Sequence, residues 1–499
     1  MTEKITRRSF LKRLGAGSAA VIAASSVVSC NEKTGNRQQD NPPVGRMTYR
    51  SNTSTKDRVS LLGYGMMRLP TIGQNDANSG KQQEGDGKID QEMVNRQVDY
   101  ALAHGVNYFD TSPVYGEGLS ERATGIALKR HDRRKHFIAT KMSNMDSYTR
   151  EDSIAMFNNS LKELQTNYID YYLLHVIGIA DDNHDPMEMF NARFIDNGIL
   201  EFLLEMKRNG TIRNLGFSFH GDQTVFDHAL KMHDERRISW DFAQIEMNFL
   251  DWNWADEIND SNVDAKYLYH ELVKRNIPVI IMEPLLGGRL AKLPQPMVAK
   301  LKAKDPERSV ASWAFRYVGS YPGVLTVLSG MTYMEHLKDN LRSFCPLKPL
   351  DKKTLEWLDG PFAKELMGYR SIPCTGCKYC MPCPYGLDIP GIFAHYNRLL
   401  LEGRVIENAK DPKYREARRE YLISYDRSVP RVRQADHCIG CGNCLASCPQ
   451  SIMIPDEMHR IADFVERLKQ HGSPYISRYA FNIYVSSCTK ETATWDKIK

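Results

Sequence analysis

Four polar residues that can hold or move a proton lie at the ends of successive apolar segments in the first half of the chain. Asp110 and Tyr115 lie in the run YFDTSPVYG, Lys141 ends the run IATK, and His175 ends the run YYLLH. Hydride addition to a carbonyl leaves negative charge on the oxygen, so that reaction needs a proton donor within hydrogen-bond reach. The four side chains have the types that such chemistry requires.

Tyr115 is the predicted proton donor of this set. A free tyrosine has a pKa of about 10, and a neighbouring ammonium group lowers that pKa by favouring the phenolate. Lys141 can supply the ammonium group. Asp110 can keep it charged, because a buried lysine without a counter-charge tends to lose its proton. His175 is expected to orient the carbonyl and to share in the proton transfer.

Each of the four residues also has an ordinary structural interpretation. An aspartate can cap a loop, a tyrosine can fill a half-buried core, a lysine can end a solvated strand, and a histidine can be satisfied inside a core. Barrels built from alternating strands and helices carry their chemistry at the carboxyl ends of the strands. The joint occurrence at successive strand ends therefore favours catalysis.

The cysteines form a second group of chemically capable residues. Eight of the 11 cysteines lie between residues 374 and 448, and none lies between residues 58 and 344. Such clustering predicts metal ligation and not scattered disulfides. The second run, CIGCGNCLASCP, has the bacterial ferredoxin spacing, in which the fourth cysteine binds the other cluster. The first run, CTGCKYCMPCP, is one residue shorter before its last cysteine.

This spacing predicts two [4Fe–4S] clusters with ligands exchanged between the runs. One cluster takes Cys374, Cys377, Cys380 and Cys448, and the other takes Cys438, Cys441, Cys444 and Cys383. Two tetrahedral zinc sites are the alternative, because they also use four cysteines with two-residue spacing. Three cysteines spaced by two and a closing Cys-Pro favour the clusters. Cys345 and Cys488 have no spacing partners and are expected to be small buried residues.

The elements that must position these residues alternate regularly. Strands are predicted at 59–65, 108–111, 136–141, 168–175, 214–219, 242–247, 278–282 and 324–329. Helices are predicted at 90–104, 150–164, 196–209, 224–233, 265–275, 310–318 and 334–344. Eight such units predict an α/β fold, a (β/α)₈ TIM barrel, followed by a smaller, mainly α-helical ferredoxin-like domain with a helical stretch at 389–418. An open doubly wound sheet is disfavoured because no G-x-G-x-x-G turn opens the first unit.

Composition is in line with this organisation. The chain has 499 residues, 42% hydrophobic and 25% charged residues, which is typical of a globular enzyme with two structural units. The net charge of +5 is spread over segments of mixed sign, so nucleic acid is not expected as a partner. A polar insertion at 71–88 follows the first strand and is expected to rim the barrel mouth.

On these residues the chain resembles the aldo-keto reductase superfamily, whose Asp, Tyr, Lys and His tetrad matches the four positions in type, order and strand context. The resemblance covers residues 58–345. The cysteine runs resemble those of the superfamily's iron–sulfur members, which carry a ferredoxin domain. The resemblance implies an NAD(P)-dependent oxidoreductase that interconverts a carbonyl and an alcohol on a small molecule, such as a sugar-like or steroid-like compound, with NADP preferred over NAD.

The same resemblance implies the residues that hold the nicotinamide cofactor. The residues implied to hold the nicotinamide are Ser218, Gln244 and Asn248. The residues implied to hold the phosphates follow the seventh strand, at Glu283, Leu285, Gly287 and Arg289, and the eighth strand, at Ser329, Gly330, Met331 and Asn340. Barrels commonly bind phosphate at the loops after strands seven and eight. Arg289 and Lys338 are both candidates for the extra phosphate of NADP.

The first thirty residues resemble an export signal. The run TRRSFLK resembles a twin-arginine motif, and an apolar stretch at 14–28 follows it that is too short to span a bilayer. The run VVSC resembles a lipobox, which would make Cys30 a lipid-anchored N-terminus. A simple cleaved signal and an ordinary cytosolic N-terminus are the alternatives. The predicted domains are a signal at 1–30, a polar linker at 31–57, the barrel at 58–345 and the cluster domain at 346–499.

Two classes of function remain open at this point. The first is the enzyme, periplasmic or membrane-anchored, whose clusters exchange electrons with a partner. The second is an electron-transfer protein that uses the barrel as a docking scaffold. The first is favoured because a scaffold has no need for Lys141 and Asp110 together. Free NADPH is not expected outside the cytoplasmic membrane. Either the nicotinamide is tightly bound and recharged in place, or the interpretation of the first residues as an export signal is wrong.

Replacing Arg7 and Arg8 with lysine should leave the protein folded but retained in the cytoplasm, as cell fractionation would show. Replacing Cys30 should release the exported protein from the membrane. A wild-type protein that is cytosolic with an intact N-terminus would contradict the export signal. A Cys30 variant that stays membrane-bound would contradict the lipid anchor.

Overall fold

Eight parallel strands close into a barrel that confirms the predicted architecture. An antiparallel hairpin, β1 (Tyr49–Ser51) and β2 (Arg58–Ser60), precedes it. The barrel strands are β3 (Leu62–Gly65), β4 (Tyr108–Asp110), β5 (Phe137–Met142), β6 (Ile169–Ile177), β7 (Ile212–Phe219), β8 (Phe242–Glu246), β9 (Val279–Met282) and β10 (Val324–Gly330). Their order is β10-β3-β4-β5-β6-β7-β8-β9, with every neighbour in parallel register.

The structure is a computed structural model that describes residues 42–72, 88–116, 118–180, 184–258, 262–369, 371–445, 447–448, 450 and 452–470. The predicted signal with Arg7, Arg8 and Cys30, most of the insertion at 71–88, and Cys488 lie outside the described residues. Within those ranges, no helix is both long enough and apolar enough to cross a membrane.

Helices alternate with the barrel strands and continue into the C-terminal region. They are α1 (Gln91–Ala103), α2 (Ser120–Leu128), α3 (Arg150–Glu163), α4 (Pro186–Phe190), α5 (Ile199–Arg208), α6 (Gln223–Asp234), α7 (Asp251–Ile258), α8 (Ala265–Lys274), α9 (Gln295–Lys304), α10 (Val310–Gly319), α11 (Met334–Phe344), α12 (Lys352–Trp357), α13 (Ala363–Met367), α14 (Ile389–Leu401), α15 (Tyr414–Ser428) and α16 (Ile454–Gln470). Side-chain caps start several of them. Asp90 accepts the Met93 amide at 2.9 Å, and Asp222 accepts the Thr224 amide at 2.7 Å.

Helix α2 was missed by the sequence prediction, and Gly125 explains why. A glycine inside a helix lowers its intrinsic helix propensity, so the segment did not stand out as helical. The structure requires glycine there, because a Cβ at this position would lie 2.3 Å from the carbonyl oxygen of Glu163 in α3. Close packing of two helices therefore overrides local propensity.

The amino end of the barrel is closed by the hairpin and by aromatic packing. Tyr108 and Tyr171 meet edge to face at 5.0 Å between ring centroids, and Phe242 packs on Tyr171 at 5.1 Å. The Tyr171 hydroxyl donates to Asp57 at 3.0 Å, between the hairpin strands. The prediction of a polar linker up to residue 57 does not hold for its last residues, because Tyr49–Ser51 pair with β2 and Asp57 accepts from Tyr171.

The C-terminal domain has its own core and begins later than predicted. Leu358 and Phe362 pack into the barrel core, so residues 346–367 belong to the barrel and not to the cluster domain. From Ile372 onwards the buried residues form a separate core among α14, α15 and α16. The helix predicted at 389–418 is two helices, because Gly403 (φ 69°) ends α14 and the Arg404 amide donates back to the Leu399 carbonyl.

Candidate active site

The four predicted catalytic residues meet at the carboxyl end of the barrel. Asp110 ends β4, Lys141 lies in β5, His175 lies in β6, and Tyr115 lies in the turn after β4. Asp110 pairs in register with Ala139, two residues before Lys141. Because side chains alternate along a strand, Ala139 and Lys141 both point into the barrel. Asp110, Tyr115 and His175 line one large open cavity at this end.

Lys141 and Asp110 form a buried ion pair. Lys141 Nζ lies 2.7 Å from Asp110 Oδ1 and also donates to the Thr111 carbonyl at 2.7 Å. The exposed side-chain fraction is 0% for Lys141 and 4% for Asp110. Burial lowers the pKa of Lys141 and raises the pKa of Asp110, and the partner's charge opposes the shift in each case. Each charge is therefore maintained by the other.

Tyr115 lies beside this pair, but its pKa does not follow the sequence prediction. Lys141 Nζ lies 4.8 Å from the centroid of the Tyr115 ring. Burial raises the pKa of Tyr115 well above its usual value, and the negative charges of Asp110 and Glu283 raise it further. The predicted lowering of this pKa is wrong, because burial and the two carboxylates outweigh the effect of the Lys141 ammonium group. Tyr115 is therefore a neutral phenol that holds its proton.

His175 is held as a neutral ring by a short chain of hydroxyl groups. Its Nδ1 lies 2.6 Å from Ser143 Oγ, which lies 2.8 Å from Ser112 Oγ. Burial lowers the pKa of His175 well below its usual value, and the positive charge of Lys141 adds to this. When Ser143 donates to Nδ1, the ring proton sits on Nε2 and can be donated to a substrate oxygen. The rings of His175 and Tyr115 meet edge to face at 6.0 Å between centroids.

Arg193 fixes the backbone at the end of β6. It is 1% exposed and lies in a π-helical turn, Asn191–Ile195. Its guanidinium donates to the His175 carbonyl at 2.7 Å and to the Val176 carbonyl at 3.0 Å. Neither Arg193 nor Ser143 was predicted from the sequence. Ser143 could have been found as the polar residue two positions after Lys141. Arg193 reaches back to the site from the π-helical turn after β6, and the sequence gives no sign of this contact.

A second buried pair, His220 and Glu246, lines the same cavity and was also missed. His220 Nδ1 lies 3.2 Å from Glu246 Oε1, and Asn262 donates to Glu246 Oε2 at 2.6 Å. Burial alone would lower the pKa of His220, but the charges of Glu246 and Glu283 outweigh it and raise the pKa. The pKa of Glu246 is lowered, because His220 and the hydrogen bonds outweigh burial. His220 directly follows β7, and Glu246 ends β8. A polar residue at the carboxyl end of a barrel strand is the sequence pattern that could have identified both.

The three predicted nicotinamide residues have different surroundings. Gln244 is 2% exposed, lines the cavity, and its Oε1 has no hydrogen-bond partner among the described residues. Ser218 Oγ accepts the Val176 amide at 2.8 Å and ties β7 to the end of β6. Asn248 Oδ1 accepts the amides of Leu250 at 2.8 Å and Asp251 at 3.0 Å. Gln244 can therefore contact a cofactor, whereas the other two side chains support the loops around it.

The predicted phosphate-binding residues mostly line the cavity. Those that do are Glu283, Leu285, Gly287, Arg289, Ser329, Gly330 and Asn340. Asn340 donates to Ser329 Oγ at 2.8 Å, after β10. Met331 is fully buried, and its carbonyl accepts the Tyr64 hydroxyl at 2.8 Å.

The two candidates for the additional phosphate of NADP have other partners. Arg289 donates to Ser371 Oγ at 2.8 Å, so this arginine faces the cluster domain. Lys338 Nζ lies 5.9 Å from the centroid of the Tyr100 ring. Glu283, with φ of 51°, accepts the Gly287 amide through its carboxylate.

The four thiols that are predicted to bind the first cluster lie around one small cavity. A small cavity is lined by Cys374, Cys377, Cys380 and Cys448 together with apolar residues of α14 and α16. The pKa is raised to about 11 for Cys374 and about 12 for Cys380, by burial first and then by negative charge on Cys377 and Cys448. The last thiol of the second run therefore lies beside the first run, as the ligand exchange requires.

The other four thiols form a separate set. Burial raises the pKa of Cys444, and negative charge on Cys438, Cys441 and Cys383 raises it further. The described residues contain no preformed group of three or more His, Cys, Asp or Glu side chains that could hold a metal ion. The fit to a cluster rests instead on the donor chemistry, because each set contains four thiols, three from one run and one from the other.

Removing the charge of Lys141 should destabilise the protein as well as slow any reaction at the site. Lys141→Met leaves the buried Asp110 without its partner, and breaking a buried pair typically costs about 3–5 kcal/mol. The pKa of Asp110, already raised by burial, should rise further. Such a carboxyl group contributes stability below its unfolded pKa of about 4 and loses it as the pH rises through its folded pKa. Urea unfolding should therefore show a deficit that grows as the pH rises above about 4.

The double variant Lys141→Met with Asp110→Asn is the control for this prediction. It removes the unpaired charge, so it should recover part of the stability and lose the pH dependence. A deficit in Lys141→Met that is independent of pH would show that lost packing, and not the unpaired carboxylate, causes the instability.

Comparison with known proteins places the chain in a family. The family model described as the aldo/keto reductase family matches residues 62–360, and the 4Fe-4S dicluster domain matches residues 373–453. An uncharacterized oxidoreductase, YqkF, of Bacillus subtilis is 24% identical over 49% of this chain and 80% of its own length. L-galactose dehydrogenase of Arabidopsis thaliana is 23% identical over 62% of this chain and 92% of its own length.

Among solved structures, an aldo-keto reductase from Bacillus halodurans in its holo form has 22% sequence identity and a TM-score of 0.47. That likeness covers 64% of this chain and 96% of the other. The family match spans the closed barrel and more than half of the chain. The chain therefore belongs to the aldo/keto reductase family and carries a 4Fe-4S dicluster domain behind its barrel.

Proposed function

We propose that this oxidoreductase uses a nicotinamide cofactor to interconvert a carbonyl and an alcohol on a small molecule. The observation that carries the proposal is the buried pair of Lys141 and Asp110, 2.7 Å apart, beside the Tyr115 ring at the cavity wall. Burying two charges is costly, and a docking scaffold gains nothing from that cost. The alternative of an electron-transfer protein with an inert barrel is therefore less well supported.

Tyr115, Lys141 and His175 have different roles at the substrate oxygen. Tyr115 is a neutral phenol and donates its proton to the oxygen as negative charge develops there. The ammonium group of Lys141 stabilises the phenolate that remains. His175, neutral and held by Ser143, donates from Nε2 and fixes the direction of the carbonyl. In the reverse direction the same groups take up the proton of the alcohol.

A bound nicotinamide would supply or accept the hydride. Gln244 would contact the carboxamide through its unpaired Oε1, and Ser329, Gly330 and Asn340 would hold the phosphate end. Arg289 has Ser371 as its partner, so the preference for NADP over NAD depends on whether Lys338 leaves the Tyr100 ring.

The cluster domain would carry two [4Fe–4S] clusters and exchange electrons with a partner. The proximity of Cys448 to the first run and of Cys383 to the second supports this ligand exchange. Export by the twin-arginine route, to the periplasm or to a lipid anchor at Cys30, remains part of the proposal. Since that route carries folded proteins, the clusters and the nucleotide could be loaded beforehand.

Tyr115→Phe tests the enzymatic proposal. It removes one oxygen and keeps the ring, so the cavity should stay packed and the cofactor Kd should change little. Turnover of a responsive carbonyl substrate should fall by about 10²–10⁴-fold, the usual contribution of a positioned general acid. Tyr172→Phe, which removes a buried hydroxyl group on the outer side of β6, is the matched control and should keep full activity. Full activity in Tyr115→Phe would favour the electron-transfer alternative.

Anaerobically prepared protein should contain about eight iron and eight acid-labile sulfide per chain, with visible absorption that bleaches on reduction. Replacing Cys448 should disturb the cluster whose other ligands lie in the first run. Four iron per chain, or zinc, would reject the two-cluster proposal. Loss of only the other cluster in the Cys448 variant would show that the ligands are not exchanged.

A further inference from the structure

The first cysteine run lies directly against the mouth of the barrel. A Cβ on Gly287, which has φ of 64°, would lie 2.5 Å from the Cα of Thr375, so this loop and the cysteine run are in backbone contact. The Arg68 guanidinium donates to the Thr375 carbonyl, and Arg289 donates to Ser371 Oγ at 2.8 Å. Two cations of the barrel therefore hold the segment on both sides of the first thiol, Cys374.

Tyr379 reaches from this run into the catalytic cavity. It lies between Cys377 and Cys380, keeps 38% of its surface exposed, and lines the same cavity as Tyr115 and His175. Tyr115 and Glu283 lie within electrostatic reach of the Tyr379 phenol. Its hydroxyl group can both donate and accept a hydrogen bond. A polar group of the cluster domain thus lies near the predicted proton donor.

Gln450, which follows the second cysteine run, lines the same cavity and also the small cavity of the first thiols. It is 4% exposed, lines the cavity, and its Nε2 donates to Glu246 Oε1 at 3.4 Å. Its Oε1 is buried and has no hydrogen-bond partner among the described residues. Buried acceptors in native proteins are almost always paired. An unpaired acceptor on a side chain that lines an open cavity is therefore suited to a donor on a ligand.

These groups can all form hydrogen bonds with hydroxyl groups of a ligand. Gln450 offers an acceptor, Tyr379 offers a hydroxyl group, and the Glu246 carboxylate, which binds His220 and Asn262, lies next to Gln450. Hydroxyl groups on a ligand can donate to the amide oxygen and accept from the phenol. An aliphatic ligand would leave the buried amide oxygen unpaired, which a site of this kind discriminates against strongly.

We propose that the cluster domain supplies one wall of the substrate pocket, in which Tyr379 and Gln450 bind the hydroxyl groups of a polyhydroxylated carbonyl compound while the barrel residues act on its carbonyl. This rests on the proposed function and names its substrate class. Tyr379 and Gln450 are specificity-determining residues in this pocket. Because Tyr379 lies between two thiols, the shape of this wall depends on the first cysteine run.

Reduction of erythrose and of butanal by the holoenzyme tests the proposal, because the two aldehydes have equal carbon chains and differ in hydroxyl groups. Wild-type protein should prefer erythrose in kcat/KM. Gln450→Met, which is nearly isosteric, and Tyr379→Phe should each reduce that preference about tenfold, mainly through a higher KM for erythrose. Tyr385→Phe, an exposed tyrosine of the same domain that does not line the cavity, is the matched control and should keep the preference.

Iron content of each variant shows that the clusters are retained. Binding of erythrose to the Tyr115→Phe holoprotein, measured by calorimetry, separates this inference from the proposed function because it needs no turnover. Affinity should fall about tenfold when Gln450→Met is added. An unchanged preference or affinity in variants with full iron content would overturn the inference, as would undetectable erythrose binding. Full carbonyl reduction by Tyr115→Phe would instead overturn the proposed function.

Discussion

The buried ion pair of Lys141 and Asp110 is the interaction on which the site depends. A lysine with no exposed side-chain surface keeps its charge only beside a fixed counter-charge, and Asp110 lies at 2.7 Å. The pair exists because β4 and β5 are neighbours in parallel register and both side chains point inward. The register of β4 and β5 is therefore a condition of the ion pair, since a shifted pairing of these strands would leave one of the two charges alone.

Two neutral groups lie beside this pair. Burial keeps Tyr115 protonated and His175 uncharged, and Lys141 Nζ lies 4.8 Å from the centroid of the Tyr115 ring. The hydroxyl groups of Ser112 and Ser143 hold the histidine ring, and Arg193 holds the backbone behind it. A dry site with fixed donors stabilises charge more strongly than water does, because no donor has to reorient during the reaction.

The cluster domain is not a separate appendage of the barrel. Backbone contact at Gly287, the hydrogen bonds of Arg68 and Arg289, and the bond between Gln450 and Glu246 join the two. The loop that would hold cofactor phosphate is therefore in direct contact with the loop that carries the first thiols. Changes in one are expected to reach the other through packed atoms and not through a flexible linker.

The sequence by itself determined the barrel, the positions of its eight strands, the four catalytic candidates and the two cysteine sets. These features can be predicted from local sequence patterns, because strand alternation, helical periodicity and ligand spacing involve residues close together in the chain. Helix α2 escaped because Gly125 obscures local propensity, and the boundary at residue 345 was misplaced because residues 346–367 have no pattern that identifies their packing partner.

Only the tertiary structure decided what depends on burial or on distant contacts. The raised pKa of Tyr115 follows from desolvation, which sequence does not reveal. Ser218 and Asn248 proved to be tied to neighbouring loops. Tyr379 and Gln450 reach the barrel cavity from more than two hundred residues beyond Tyr115, through the docking of two cores. The physical reason is the same in each case: desolvation and docking are set by the summed packing of the whole chain, and no short segment carries that information.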